Sequence, residues 1–355
     1  MGFVRLFLVS LYISMFIILT ACGGKLPGFR VLEKSDTFQQ ASVTNNEVDM
    51  LFVIDNSGSM QDEQDSLAES FESFITEFAD RELNFHIGII STDNISGSSR
   101  WSSSNASGAY YGIYNNQIGS LLSKYSSYRW ISPETPDLVN KFKNNVRLGI
   151  NGSGYEMPLS VLVTSIDKAA TGQWNEGFFR EDAFLAVVVV TDEDEADSTT
   201  HDLSVSNYPS TLATRLTNLE NKLNTLKGSA SNYSLYAITS PSPAQCPSAY
   251  QTGTAVMEAA TRFGGEIGNI CNDFSTTLNQ IGGNILSRAT RFHLLQPPDG
   301  DIRIYVNGVE YPKDSTHTNG WDYLSASQDV EFYGNYIPPS GSSISVTYVP
   351  ASPTN

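Results

Sequence analysis

A chain of 355 residues with a hydrophobic fraction of 40% can bury a sizeable core and is long enough for about two domains. Its 38 Asp and Glu against 21 Lys and Arg leave a formal net charge of −17, with no basic run or Lys/Arg face. Holding a phosphate backbone requires several cations, so nucleic acid is a poor partner and attraction to an anionic membrane surface is equally disfavoured.

The amino terminus carries one charge, Arg5, ahead of an apolar stretch from Leu6 to Ala21 that ends in Leu19-Thr20-Ala21-Cys22. A positive start, an apolar run too short to span a bilayer comfortably and small residues at the end read as a signal peptide over residues 1–21. A cysteine directly after those small residues resembles the lipobox of bacterial lipoproteins, which implies cleavage before Cys22 and lipidation on it. An uncleaved membrane anchor is the other reading, and both place the bulk of the chain outside the cytoplasm. Gly23 after Cys22 is similar to lipoproteins sorted to an outer membrane. The expected location is therefore the bacterial cell envelope, with the lipid as the sole membrane attachment. Residues 22–46, rich in Gly, Pro, Ser, Asn and Gln, read as a lipidated tether.

The segment Leu51-Phe52-Val53-Ile54-Asp55-Asn56-Ser57-Gly58-Ser59-Met60 follows. An apolar run of this length predicts a buried strand that delivers the next residues to the carboxyl end of a sheet. Asp-x-Ser-x-Ser there offers one anionic and two hydroxyl oxygens on a tight loop, a set suited to a hard cation such as Mg²⁺. The same residue types also cap and turn ordinary strand-to-helix junctions, so context decides. Leu67, Phe71, Phe74, Ile75 and Phe78 recur at helical spacing between Asp65 and Phe78. Far downstream, Phe184 to Thr191 is an even more apolar strand, ending in Asp192-Glu193-Asp194-Glu195.

Further strands are expected at Asn84 to Ile90, Tyr233 to Thr239 and Gly265 to Ile270, with helices at Pro209 to Leu226, Thr252 to Phe263 and Phe274 to Ile285. Alternation of this kind predicts an α/β fold, a doubly wound, mostly parallel sheet wrapped by helices. Over residues 47–288 the order and the loop from Val53 to Met60 resemble the von Willebrand factor A domain and its metal-ion-dependent adhesion site. The resemblance implies that Asp55, Ser57 and Ser59 hold a divalent cation, Mg²⁺ or else Mn²⁺ or Ca²⁺, and that Asp192 completes the shell. The family's third loop supplies a threonine just before a helix. The matching stretch, Gly149 to Pro158 ahead of a helix to about Ala170, has none, and the role passes to Ser153. A remaining coordination position implies a protein or cell-surface partner that offers a carboxylate, with Met60 supplying contacts around the ion. Asp194, Glu195 and Asp197 either tune the site or bind a second ion, or else form a solvated, helix-capping turn.

Apart from Cys22, the chain has Cys246 and Cys271 alone. In the sheet that the resemblance implies, they stand near the carboxyl ends of neighbouring strands. A disulfide fits an oxidising compartment and would contribute about 3 kcal/mol, while two free thiols are the alternative. The four histidines, His86, His201, His293 and His317, stand at no ligand spacing to a cysteine, which argues against zinc.

Between Asp93 and Trp130 lies an insertion rich in Ser, Gly, Asn and Tyr. It reads either as a contact surface near the metal-bearing rim or as an excursion packed on its own tyrosines. Residues 289–350 change to period two, at Arg291 to Leu295, Asp301 to Val306, Asp329 to Tyr333 and Ser343 to Val349, with a hairpin signal at Asn307-Gly308. They predict a small antiparallel β domain that leans on the larger one. The chain contains no Gly-x-Ser-x-Gly elbow and no His-Glu-x-x-His helix, so no enzyme is expected. Metal-dependent adhesion is the leading functional reading, and a metal-independent scaffold of an envelope complex is the alternative.

Overall fold

The structure, a computed structural model, describes residues 34–39, 47–80, 83–93, 118–122, 128–150, 152, 154–196, 208–339 and 342–351. The signal peptide, Cys22, Asp197, His201 and most of the Tyr-rich insertion lie outside these residues. Among the described residues no helix is long and apolar enough to cross a membrane.

Five parallel strands form the central sheet: β2 (Glu47–Ile54), β3 (Asn84–Ser91), β4 (Phe184–Val190), β5 (Tyr233–Thr239) and β6 (Ile267–Asn269). Their spatial order is β3-β2-β4-β5-β6. β2 and β4 are apolar almost throughout because both faces of the sheet are covered. Phe52, Val188 and Ile238 bury into one apolar cluster, while Leu51, Val187 and Leu235 bury into the other, as the strand alternation requires.

The first cluster is covered by α1 (Gln61–Asp80), α2 (Leu138–Val146) and α6 (Phe274–Ala289). The predicted stripe on α1 is the buried face: Leu67, Phe71, Phe74 and Ile75 are each at most 4% exposed, and burial stabilises by roughly 1.5–3 kcal/mol per side chain. Helix α2 was not expected from the sequence. Its Phe142 stacks on Phe71 and meets Phe52 edge-on with 5.2 Å between ring centroids. On the other face, α3 (Pro158–Asp167), α4 (Tyr208–Lys227) and α5 (Thr254–Arg262) cover the second cluster. The expected strand at Gly265 to Ile270 is shortened to β6, at the edge of the sheet. A side chain at Gly265 would meet the Leu235 carbonyl oxygen at 2.0 Å, so that residue packs against β5.

The period-two region forms two small antiparallel sheets. One contains β10 (Gly320–Leu324), β11 (Asp329–Tyr333) and β7 (Phe292–His293); the other contains β8 (Pro298–Val306), β9 (Val309–Tyr311) and β12 (Ser343–Pro350). The expected hairpin is present: Asn307 and Gly308 have φ of 50° and 81°, the left-handed pair that a tight two-residue turn needs. Ile304, Val306, Trp321, Phe332, Ile344 and Val346 join the same apolar cluster as α1 and α6, so the small sheets share the core of the larger unit. Ser287 of α6 fixes the contact, with its Oγ 2.8 Å from Glu331 Oε1 and 2.6 Å from the Phe332 carbonyl.

The expected tether over residues 22–46 is revised in its second half. Lys34–Gln39 form strand β1, antiparallel to β12, from Lys34 opposite Tyr348 to Gln39 opposite Ser343. Residues of low apolar content make a strand here because β12 offers an unpaired edge, a partner invisible in the local sequence. The end of the insertion also departs from expectation. Leu122 donates its N–H to the Ile89 carbonyl, Ile131 pairs with Ile87, and Trp130 packs on His86 near the amino end of β3. Trp130 therefore lies away from the carboxyl rim.

Candidate functional site

The carboxyl ends of β2 and β4 lie side by side, and their loops form the rim of the sheet. The Asp55 N–H continues the pairing by donating to the Val190 carbonyl at 2.9 Å, which fixes where its side chain begins. Asp55 is fully buried. Its Oδ1 accepts the Ser57 N–H at 2.7 Å, the turn that Asp-x-Ser favours, and its Oδ2 accepts the Thr191 hydroxyl at 2.6 Å. The Ser57 and Ser59 hydroxyls are 3.1 Å apart, and Ser59 donates to Asp192 Oδ1 at 2.9 Å. Four of the five sequence-predicted metal residues, Asp55, Ser57, Ser59 and Asp192, are thus brought together across two loops. Ser153 lies outside the described residues. Ser59 is exposed, which leaves the cluster open to solvent on one side.

Neighbouring elements hold this geometry. Gln64, fully buried on α1, donates to the Asp55 and Gly149 carbonyls at 2.9 and 3.0 Å and accepts the Gly149 N–H, tying the first loop to the third. Gly152 donates to the Asn56 carbonyl at 2.8 Å, and a Cβ there would come within 2.4 Å of the Asn56 side chain. The Tyr250 and Gln251 N–H groups reach Asp192 Oδ2 and the Asp192 carbonyl at 3.4 and 3.1 Å. Their loop is cross-linked by the Cys246–Cys271 disulfide, with 5.4 Å between Cα atoms. The disulfide expected from sequence is present, and it braces the rim. Met60 is fully buried, so it packs in the core rather than offering a contact around an ion.

The acidic turn after β4 divides its work. Asp194 Oδ1 accepts the Ala255 N–H at the start of α5, and Glu195 accepts the Leu159 and Ser160 N–H groups at the start of α3 and pairs with Arg215. These two are helix caps, as one reading held, but buried ones rather than solvated. Burial raises Asp194 to about 6 and Glu195 to about 7 despite their donors. Glu193 has no such role. Burial, reinforced by the charges of Asp55 and Asp192, pushes its carboxyl up to about 8.

Sequence reasoning missed Glu156, which is fully buried at the entry to α3. Its Oε2 accepts the Thr92 hydroxyl, and burial followed by the charge of Asp55 holds its carboxyl well above the ordinary carboxylate range. One signal was available: Glu156 is the only charged residue between Arg147 and Asp167. Asp55 itself is raised from 3.8 to about 6, chiefly by burial, with the Asp192 charge adding to it and the Thr191 and Ser57 donors opposing it.

Among the described residues, four acceptor oxygens on these loops or on the first turn of α1 are buried without a hydrogen-bond partner: Asn56 Oδ1, Glu63 Oε2, Glu156 Oε1 and Glu193 Oε2. Buried acceptors that lack donors, together with hydroxyls and carboxylates, are a hard-oxygen donor set that fits Mg²⁺, Mn²⁺ or Ca²⁺. Among the described residues no three His, Cys, Asp or Glu side chains form a metal-holding group. An ion held by Asp55 and Asp192 would therefore need hydroxyl and water oxygens for the rest of its shell.

No protein-family model and no curated protein matches the chain. Remote likeness exists among solved structures. Proximal thread matrix protein 1 from the mussel byssus is 10% identical with a TM-score of 0.40, over 74% of this chain and 52% of that one. The pilus adhesin SpaC from Lactobacillus rhamnosus GG, in its open conformation, is 10% identical with a TM-score of 0.42, over 87% and 39%. The pilus adhesin RrgA from Streptococcus pneumoniae is 8% identical with a TM-score of 0.35, over 89% and 57%. The chain thus spans about half or less of the first two structures' length.

Proposed function

We propose that this chain is a binding protein of the bacterial cell envelope, of the doubly wound von Willebrand A type and lipidated on Cys22, whose rim holds a divalent cation and captures a partner carboxylate. The observation that carries this reading is the meeting of Asp55, Ser57, Ser59 and Asp192 from two distant loops, next to buried acceptor oxygens that lack donors. A bound cation supplies a Lewis-acidic position for an anionic oxygen. The protein's own share is to hold the ligands. Thr191 and the Ser57 N–H fix the Asp55 carboxylate, Tyr250 and Gln251 fix Asp192, and Gln64 locks the first loop to the third. Exposed Ser59 gives the partner access, and Tyr250, 65% exposed beside Asp192, supplies contact area.

Thermal unfolding in chelator and then in millimolar Mg²⁺, Mn²⁺ or Ca²⁺ tests it. Stabilisation that Ser59→Ala and Asp192→Asn both abolish is the expected result. One observation favours the metal-free scaffold instead: the Ser57 and Ser59 hydroxyls and Asp192 already satisfy one another by hydrogen bonds. No stabilisation by any of the three ions would give that reading the weight.

A further inference from the structure

The last residues of the Tyr-rich insertion, Tyr128, Arg129 and Trp130, form a surface of their own with Trp174 and with Lys141 of α2. The Arg129 guanidinium carbon lies 5.3 Å from the ring centre of Trp130 and 5.7 Å from that of Trp174. Lys141 Nζ lies 5.2 Å from the ring centre of Tyr128. Trp174 is 48% exposed, a large apolar side chain left in water, yet it is held still. Its Nε1 donates to the Leu121 carbonyl at 2.9 Å, and Arg129 donates to its carbonyl. The next residue, Asn175, is fully buried, donating to the Gly119 carbonyl at 2.8 Å and accepting the Leu121 N–H at 2.9 Å. Among the described residues Arg129 and Lys141 meet rings and backbone carbonyls but no carboxylate, whereas Arg147, Arg180, Arg215 and Arg262 each hold one. The net charge of −17 does not cancel these two cations for a ligand in contact, since salt screens distant charge beyond about 8 Å under physiological conditions.

We propose that this surface binds an acidic polysaccharide, one whose repeating sugars carry carboxylates. An indole fixed with half of its area exposed stacks on the C–H face of a sugar ring. The guanidinium and ammonium groups beside it, free of carboxylates from the chain itself, take those of the ligand. Because ring and cations are already positioned, little ordering entropy is lost on binding. A peptide is the poorer fit. Strand addition needs an open sheet edge, and the β3 edge here is closed by Ile131, whose N–H and carbonyl both pair with Ile87. A sugar chain needs no edge. The surface adjoins the His86 end of β3 rather than the rim, so this goes beyond the cation reading and neither site requires the other.

Calorimetric titration of the purified full-length chain with oligogalacturonate tests it, in chelator so that no divalent ion links the sugar to the rim. The methyl-esterified oligomer keeps the rings without the charge, and oligoglutamate keeps the charge without the rings. The acidic sugar should bind about tenfold more tightly than either. Trp174→Ala should weaken that binding roughly tenfold, as the loss of a central aromatic anchor does, and Trp174→Phe much less because a ring remains. Lys141→Gln should weaken it and reduce its dependence on salt. Melting temperatures check that each variant folds. Should Trp174→Ala fail to fold, Lys141→Gln is scored alone, and unchanged affinity and salt dependence then overturn the proposal. Equal affinity for oligoglutamate overturns it in favour of an acidic protein partner. Equal affinity for the ester removes the part assigned to the cations and overturns it too. Undiminished binding by folded Trp174→Ala places the sugar elsewhere, and no binding by the unaltered chain at millimolar oligomer leaves no such site; both overturn it.

Discussion

Asp55→Asn should reverse its effect on stability with the ionic conditions. Asp55 is fully buried, and its acidity falls from an ordinary 3.8 to about 6 because burial and the Asp192 charge outweigh the Thr191 and Ser57 donors. At about 1.4 kcal/mol per tenfold change in proton affinity, its charged form costs the folded chain about 3 kcal/mol near neutral pH. Asparagine fills the same volume and keeps an oxygen for the Ser57 N–H, so in chelator the variant should melt several degrees higher, at about 2 °C per kcal/mol for a domain of this size. In Mg²⁺ at a hundredfold over its dissociation constant the parent should gain about 2.7 kcal/mol and the variant nothing, which brings the two melting temperatures together. Calorimetry or circular dichroism at pH 7 reads both arms. A variant that melts lower in chelator and is still stabilised by Mg²⁺ would refute the reasoning on both counts.

Three further outcomes follow from the same structure. Glu193, raised to about 8 by burial and by the charges of Asp55 and Asp192, contributes stability that is complete below its ordinary 4.5 and is lost as pH rises through about 8. Metal-free chain unfolded by urea should therefore weaken between pH 5 and pH 8.5, and Glu193→Gln should flatten that slope. Reducing Cys246–Cys271 should cost about 3 kcal/mol by the loop-closure argument. It should also weaken divalent-ion binding, measured by calorimetric titration, because the released loop holds Asp192 through Tyr250 and Gln251. At the opposite end of the sheet, Arg180→Met strands Asp49, which is 0% exposed and accepts the Arg180 N–H and Nε at 2.7 and 2.8 Å. His86 beside it is held down to about 4, chiefly by burial, and stays neutral near pH 7. The loss should be about 3–5 kcal/mol in a denaturant melt with the response to divalent ions unchanged; a changed metal response would mean that the two ends of the sheet are coupled.

Local patterns fixed much of this protein in advance. The apolar runs at β2 and β4, the spacing of Leu67, Phe71, Phe74 and Ile75, and Asn307-Gly308 each encode their element within a few residues, since burial periodicity and turn geometry are short-range properties. Asp55, Ser57, Ser59 and Asp192 were legible for the same reason: each stands at or just beyond the end of an unmistakable strand, where a parallel sheet gathers its loops. What the sequence left open depends on partners far away in the chain. Lys34–Gln39 became a strand because β12, more than 300 residues later, had an edge to fill. Helix α2 is only nine residues long, and its buried Phe142 is held by Phe71 and Phe52 from other elements. Asp194 and Glu195 were two acidic residues in a row of four until folding set each against the N–H groups of a different helix. Glu156 and Glu193 gained their character only when burial removed their water and the fold brought Asp55 close to both. Charge, periodicity and turn chemistry are written in the residues, whereas desolvation and proximity belong to the folded chain.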